Sequence, residues 1–125
     1  MEYGKFPAYR PRRMRATETM RRYIRETELS AKDFIYPLFV KPGIGLRDEI
    51  PSMPGVYQVS IDMLEAEMRE LAGLGVTSVL LFGIPSRKDE CGSEAYDDHG
   101  IVQEAVRSIR AKAPAMTVVT DVCMC

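Results

Sequence analysis

The order of apolar segments constrains the fold of this 125-residue chain more than any other feature. Nearly continuous apolar runs over residues 34–40, 76–82 and 116–120 are typical of strands buried on both faces. Between them, apolar residues recur every three or four positions over 60–74 and 101–109, which predicts amphipathic helices. Strands that alternate with helices favour right-handed crossovers and a parallel sheet. The sequence therefore predicts the α/β class.

Local signals predict where some elements begin and end. Ser60 is expected to cap the helix that follows it, and Thr17 to cap a short helix near the N-terminus. Ser30 opens a loose capping box that predicts a single helical turn. Pro37 opposes a central position for the first strand, because proline donates no ladder hydrogen bond. Residues 41–59 are rich in proline and glycine, which predicts a long connection.

Charge is distributed unevenly along the chain. Residues 1–25 carry a net charge of +6 and the remainder −7, which together give −1. A basic segment ahead of an acidic body is either a nucleic-acid arm or an arm that packs on an acidic surface of a neighbouring subunit. Aromatic residues are not interleaved in the pattern that stacks bases, which favours the second interpretation. We therefore divide the chain into an arm at 1–33 and a body at 34–125, and expect a homo-oligomer that binds no nucleic acid.

Cysteine usage and hydropathy bear on the compartment. The three cysteines are an odd number, which argues against a disulfide framework and favours a reducing compartment. The arginine-rich N-terminus has no apolar leader segment. The longest apolar stretch, at 76–84, is far shorter than the ~20 residues of a membrane-spanning helix. We expect a cytoplasmic protein without a membrane partner.

A candidate site lies at the C-terminal end of the last predicted strand. Side chains alternate along a strand, so Asp121, Cys123 and Cys125 would share one face. Two thiolates at this spacing can reach one zinc ion at about 2.3 Å, but they supply only two of its ligands. They can equally be buried as small apolar residues. No local pattern places the other candidates, Cys91 and His99, nearby. We expect His99 to be a surface or capping residue and Cys91 to bind nothing.

Six short segments, in this order, resemble a known family: RRMR at 12–15, ETELS at 26–30, IYPLFV at 35–40, IPSMPGV at 50–56, KDECGSEA at 88–95 and TDVCMC at 120–125. Over residues 10–125 the chain resembles the N-terminal portion of porphobilinogen synthase, also called δ-aminolevulinic acid dehydratase. The resemblance implies an incomplete TIM (β/α)8 barrel, with the N-terminal arm, about the first three strands and two helices. It also implies octamers in which the arm wraps a neighbouring subunit.

The resemblance implies an activity as well. Members of this family join two molecules of 5-aminolevulinate into porphobilinogen, an early step of haem and other tetrapyrrole synthesis. In the zinc-dependent branch, cysteines at the places of Cys123 and Cys125 supply two of three thiolate ligands, and the third follows later. Other branches rely on magnesium, which could also bind elsewhere in the full protein. Asp121 matches a residue close to the substrate.

The catalytic lysines of the family are not expected in this chain. Two lysines form Schiff bases with the substrates, and the resemblance places both in later strands of the barrel. None of the lysines present matches them: Lys5, Lys32, Lys41, Lys88 and Lys112. We therefore assign no catalytic residue here and expect the 125-residue chain alone to be inactive.

Two other interpretations fit the sequence. The chain could be a non-catalytic fragment that binds full-length subunits, or a small α/β module that binds metal through its own cysteines. In each case the charged loop at 84–99, with Arg87, Lys88, Asp89 and Glu94, follows a strand. In a barrel it would lie at the active-site end, where we expect it to act as a lid or to be merely solvated.

Overall fold

A computed structural model describes residues 4–122 of the chain. The chain forms a five-stranded sheet in the order β2-β3-β1-β4-β5. Strands β3, β1, β4 and β5 are parallel to one another, and the edge strand β2 is antiparallel to β3. The predicted α/β class is confirmed. The strands are β1 (Tyr36–Val40), β2 (Arg47–Glu49), β3 (Tyr57–Val59), β4 (Ser78–Gly83) and β5 (Thr117–Thr120), and the helices are α1 (Glu18–Tyr23), α2 (Leu64–Gly73) and α3 (Ile101–Lys112).

The number of strands differs from the prediction. Residues 41–59 were expected to form only a connection, and this is wrong, because they contain β2 and β3. The two strands form a hairpin whose turn is closed by a hydrogen bond from Ile50 N to Val56 O at 2.9 Å. Strands of three residues are too short to show an alternating pattern. The prolines and glycines between them therefore dominated the sequence signal.

The first strand is central in the sheet despite Pro37. Strand β4 pairs with β1 along its whole length, whereas β3 reaches only Phe39 and Val40. Lys41 N donates to the β3 carbonyl of Val59 at 3.0 Å. The backbone nitrogens of Phe39 and Pro37, two and four positions earlier, therefore point to the same side of β1. The backbone nitrogen of Pro37 therefore points to the β3 side of β1, at a level beyond the end of β3, and its missing N–H breaks no ladder bond.

The core lies on one face of the sheet, between the strands and the two longer helices. Leu38, Val40, Val79 and Leu81 are almost fully buried there, while the residues that alternate with them are half-buried or exposed. The expectation that these strands are buried on both faces is wrong for the described residues. On the second face, which we call the open face, the rings of Phe39 and Phe82 stack with centroids 5.1 Å apart.

Two of the predicted helix caps are formed in the structure, and a third is not. The Thr17 side chain accepts a hydrogen bond from the first turn of α1, and the capping box at Ser30–Asp33 is formed, as predicted. Ser60 instead precedes a short 3₁₀ turn at Ile61–Met63, and its side chain caps no helix. Its Oγ accepts a hydrogen bond from Leu46 N at 2.9 Å. The predicted side-chain cap by Ser60 is wrong, because a residue 14 positions away supplies the donor.

The segment before β1 contributes little to this core. No residue of α1 or of the turns at Arg13–Arg15 and Ala31–Asp33 is buried. The division between an arm at 1–33 and a body at 34–125 stays a prediction. Within residues 4–122, no helix combines the length and the apolar composition needed to cross a bilayer.

Candidate functional site

The candidate site is a cavity of about 650 Å³ at the carboxyl ends of β4 and β5. It is bordered by the loop at 84–100, by the first turns of α3 and by Thr120 and Asp121. In parallel α/β sheets, ligands bind outside the carboxyl ends of the strands. A volume of this size is within the usual range, about 300–1,000 Å³, for sites that bind small molecules.

Asp121 lies at the rim of this cavity and on the open face of the sheet. Its N–H donates to Leu81 O at 3.4 Å, which extends the β5 ladder by one residue. Leu81 is buried under the helices and pairs with Thr120, so Thr120 belongs to the helix-covered face. By alternation, Asp121 lies on the opposite face, which also carries Phe82. Its role near a substrate stays a prediction.

The predicted metal ligands cannot be placed together. Cys123 and Cys125 lie outside the described residues. Cys91 is exposed on the loop, and His99 is exposed with its Nδ1 3.0 Å from the Glu104 carboxylate. Among residues 4–122, no three histidine, cysteine or acidic side chains are grouped so that they could hold a metal ion. The zinc site therefore remains a prediction.

The loop beside the cavity is organised by two carboxylates. Asp89 accepts hydrogen bonds from Ser93 N at 3.0 Å and from Cys91 N at 3.1 Å, and the left-handed backbone of Gly92 (φ +61°) permits this tight turn. These bonds, chiefly those from Ser93, lower the pKa of Asp89. Glu94 accepts from the Ser86 hydroxyl at 2.6 Å. Both acidic side chains therefore bind their own loop.

Helix α3 holds the other end of the loop. Gln103 Nε2 donates to Ala95 O at 2.9 Å, and the Arg107 guanidinium donates to Asp98 O and to the Glu104 carboxylate. Gly100 is buried at the start of α3, where a Cβ would collide with the Glu94 carbonyl oxygen. The sequence pattern suggested a lid or a solvated loop and missed these attachments. The only local signal was that Gln103 and Arg107, in the first two turns of α3, are polar.

The fold and the cavity define a class of protein: a mainly parallel α/β unit with a cavity of small-molecule size at the carboxyl ends of its strands. Comparison with known proteins makes the assignment more specific. The family model described as delta-aminolevulinic acid dehydratase matches residues 8–125, and the chain belongs to this family. The resemblance carried by the six sequence segments is thus confirmed.

Individual relatives support this assignment. The chain is 51% identical over 116 residues to the delta-aminolevulinic acid dehydratase of Halalkalibacterium halodurans, covering 93% of the chain and 35% of the relative. It is 50% identical over 116 residues to that of Bacillus subtilis, covering 93% and 36%. The crystal structure of the Toxoplasma gondii ME49 enzyme, in complex with the reaction product porphobilinogen, matches with a TM-score of 0.85 and 29% identity, covering 93% of the chain and 33% of that protein. The chain thus spans about a third of the length of these relatives.

Proposed function

We propose that this chain forms the N-terminal part of a porphobilinogen synthase, which joins two molecules of 5-aminolevulinate into porphobilinogen during haem biosynthesis. The observation that carries the proposal is the match of 93% of the chain to a solved enzyme that holds porphobilinogen. In this proposal β1, β4 and β5 are about three of the eight strands of a TIM barrel. Helices α2 and α3 belong to its outer layer.

The open face supports this placement. Its half-buried aromatic pair, Phe39 and Phe82, is the kind of bulky residue that fills a barrel interior when further strands close around it. Asp121 follows β5 on the same face, at the carboxyl end, where the chemistry of such barrels is located. There its carboxylate can hold the ammonium group of 5-aminolevulinate by a charge-assisted hydrogen bond.

We further propose that Cys123 and Cys125 are zinc ligands. Thiolates are soft donors that suit zinc and not magnesium, and any magnesium site would lie elsewhere in the full protein. A zinc ion bound here with an open position would polarise a substrate carbonyl as a Lewis acid. In this proposal the residues of this chain orient the substrate, and the Asp121 carboxylate holds the amino group of the substrate.

The N-terminal arm suits assembly. Phe6, Tyr9 and Met14 are between 47% and 78% exposed, although they are large and apolar or aromatic. We propose that they pack on a neighbouring subunit of a homo-octamer in the cytoplasm. Light scattering on the chimera described next measures the assembly, and a Tyr9→Ser and Met14→Ser double variant should dissociate it into smaller species.

A chimeric enzyme tests the activity. Residues 8–125 replace the matched segment of the Bacillus subtilis relative, which supplies the rest of the protein. We expect the chimera to form porphobilinogen from 5-aminolevulinate, and the isolated 125-residue chain to form none. Asp121→Asn should lower kcat/KM about tenfold or more, because it removes a hydrogen bond to a charged group. A folded chimera without product would refute the proposed activity.

The metal proposal has its own readout. Cys123→Ser and Cys125→Ser should each lower the zinc content of the purified chimera, measured by elemental analysis. Val122→Ala is the matched control, because Val122 immediately precedes the first proposed ligand in the sequence and is 96% exposed. Unchanged zinc content in both cysteine variants would show that these thiols are not ligands.

A further inference from the structure

The loop at 84–99, which we call the cavity loop, is held in place by hydrogen bonds and not by apolar packing. Residues 86–99 all lie in the described part of the chain, and none of them is buried. A segment without buried apolar contacts opens locally at a low cost in free energy. The position of the cavity loop therefore depends on the few bonds that tie it to the rest of the chain.

Two side chains of α3 supply such bonds. Gln103 Nε2 donates to Ala95 O at 2.9 Å, and the Arg107 guanidinium donates to Asp98 O. The Glu104 carboxylate orients this guanidinium, because it accepts a hydrogen bond from Arg107 Nη1 at 2.7 Å. Both loop acceptors are backbone carbonyl groups, so the bonds fix the path of the loop and not merely one of its side chains.

These bonds join two parts of the cavity wall. Loop residues between 87 and 95 form one part of the wall, and α3 residues between 101 and 107, which include Gln103 and Arg107, form another. Gly100 permits the close approach of the two parts, since a Cβ at this position would lie 2.4 Å from the Glu94 carbonyl oxygen. Loss of the bonds would let the loop part of the wall move away from α3.

We propose that Gln103 and Arg107 are positioning residues, which hold the cavity loop against α3 and thereby determine how tightly the cavity binds its substrate. The inference rests on the proposed function, in which that substrate is 5-aminolevulinate. The apparent affinity of a protein is its intrinsic affinity reduced by the fraction of molecules in the binding-competent state. Opening of the loop should therefore raise KM. Saturating substrate closes the loop again, so kcat should be retained.

Steady-state kinetics of the chimera measure this split between KM and kcat. Gln103→Met and Arg107→Met each remove the donor and keep an unbranched side chain. Loss of one hydrogen bond should shift the equilibrium between closed and open loop about two- to tenfold. The double variant should then raise the KM for 5-aminolevulinate at least about threefold and change kcat less than about twofold. Hydrogen exchange in a peptide that covers 84–99 should be faster in the same variant.

Arg110→Met is the matched control, because Arg110 is an exposed arginine of the same helix that does not border the cavity. It should leave KM, kcat and the exchange of 84–99 unchanged, and circular dichroism on every variant verifies that the fold is retained. The inference is overturned if the double variant keeps the KM of the unmodified chimera. It is also overturned if the double variant lowers the thermal midpoint and kcat without raising KM, as a purely structural role predicts.

Product formation separates this inference from the function on which it rests. A chimera that forms porphobilinogen with a KM insensitive to the double variant overturns the role of Gln103 and Arg107 alone. A folded chimera that forms no porphobilinogen refutes the proposed activity, and titration calorimetry with porphobilinogen then tests the inference. The inference is supported if the double variant weakens that binding. It is overturned if both proteins bind porphobilinogen equally or neither binds it.

Discussion

Ser60 provides the sharpest test of how this chain is held together. It is fully buried, and it makes three hydrogen bonds with Leu46: its Oγ accepts from Leu46 N at 2.9 Å and donates to Leu46 O at 3.5 Å, and its N–H donates to Leu46 O at 3.1 Å. Nearby, Asp62 Oδ2 accepts from Gly45 N at 2.8 Å. These contacts join the segment before β2 to the 3₁₀ turn that precedes α2.

Ser60→Ala removes the acceptor and leaves the Leu46 N–H unpaired in a partly buried place. An unsatisfied group of this kind costs about 1–3 kcal/mol. If that cost appears as easier local opening, the Leu46 amide should exchange about 5- to 150-fold faster. The Ser60 hydroxyl is also the main cause of the lowered pKa of Asp62, so this pKa should rise toward its ordinary value in the variant.

Hydrogen exchange with mass spectrometry on the chimera measures the effect, using peptides that cover 41–50 and 61–70. We expect faster exchange in the first peptide only, because Ser60 Oγ accepts no hydrogen bond from a helix amide. Ser52→Ala, an exposed serine in the same connection, should change neither. Faster exchange confined to 61–70 would show that Ser60 caps α2 after all, and our account of this residue would be wrong.

The remaining predictions concern the core and the cavity loop. Leu81→Ala, at a position with 0% exposure, should cost about 2–5 kcal/mol and lower the thermal midpoint of the chimera, whereas Leu74→Ala, at a 66% exposed position that follows α2, should cost less than about 1 kcal/mol; equal shifts of the midpoint would contradict the placement of Leu81 in the core. The pKa of Asp89 is lowered in the folded loop, so its contribution is present above the unfolded value of about 3.9 and is lost as the pH falls through the folded value. The protection of the amides in 84–96, which is their exchange rate compared with the intrinsic rate at the same pH, should therefore fall at low pH, and Asp89→Asn should remove that fall; a protection profile shared by both proteins would argue against this role. Gly92→Ala should lower the thermal midpoint, because alanine is strained at φ +61°; an unchanged midpoint would mean that the turn can rearrange.

Helical periodicity was the most dependable signal in this sequence. The spacing of Ile101, Ala105 and Ile109 correctly predicted which side of α3 is buried, because residues three and four apart necessarily share a helix face. The hairpin of β2 and β3 could not be found in this way. Strand β3 forms because it pairs with β1, and β2 forms because it pairs with β3; pairing with another strand leaves no trace in local spacing.

The sequence likewise predicted one part of the candidate site and not another. Alternation along β5 indicated that Asp121 and the thiols lie on one face, and the ladder places Asp121 opposite the helix-covered face. The anchoring of the loop to Gln103 and Arg107 could not be predicted, because those bonds depend on how α3 packs against the sheet.

By itself, the sequence determined the α/β class, the buried sides of the helices and the family, since all three follow from residue order and short-range geometry. Only the tertiary structure decided that Ser60 binds Leu46 and caps no helix, and that Lys88 and Asp121 border one cavity. Such pairings join residues far apart in the chain. They depend on the sum of many packing contacts, which no local pattern records.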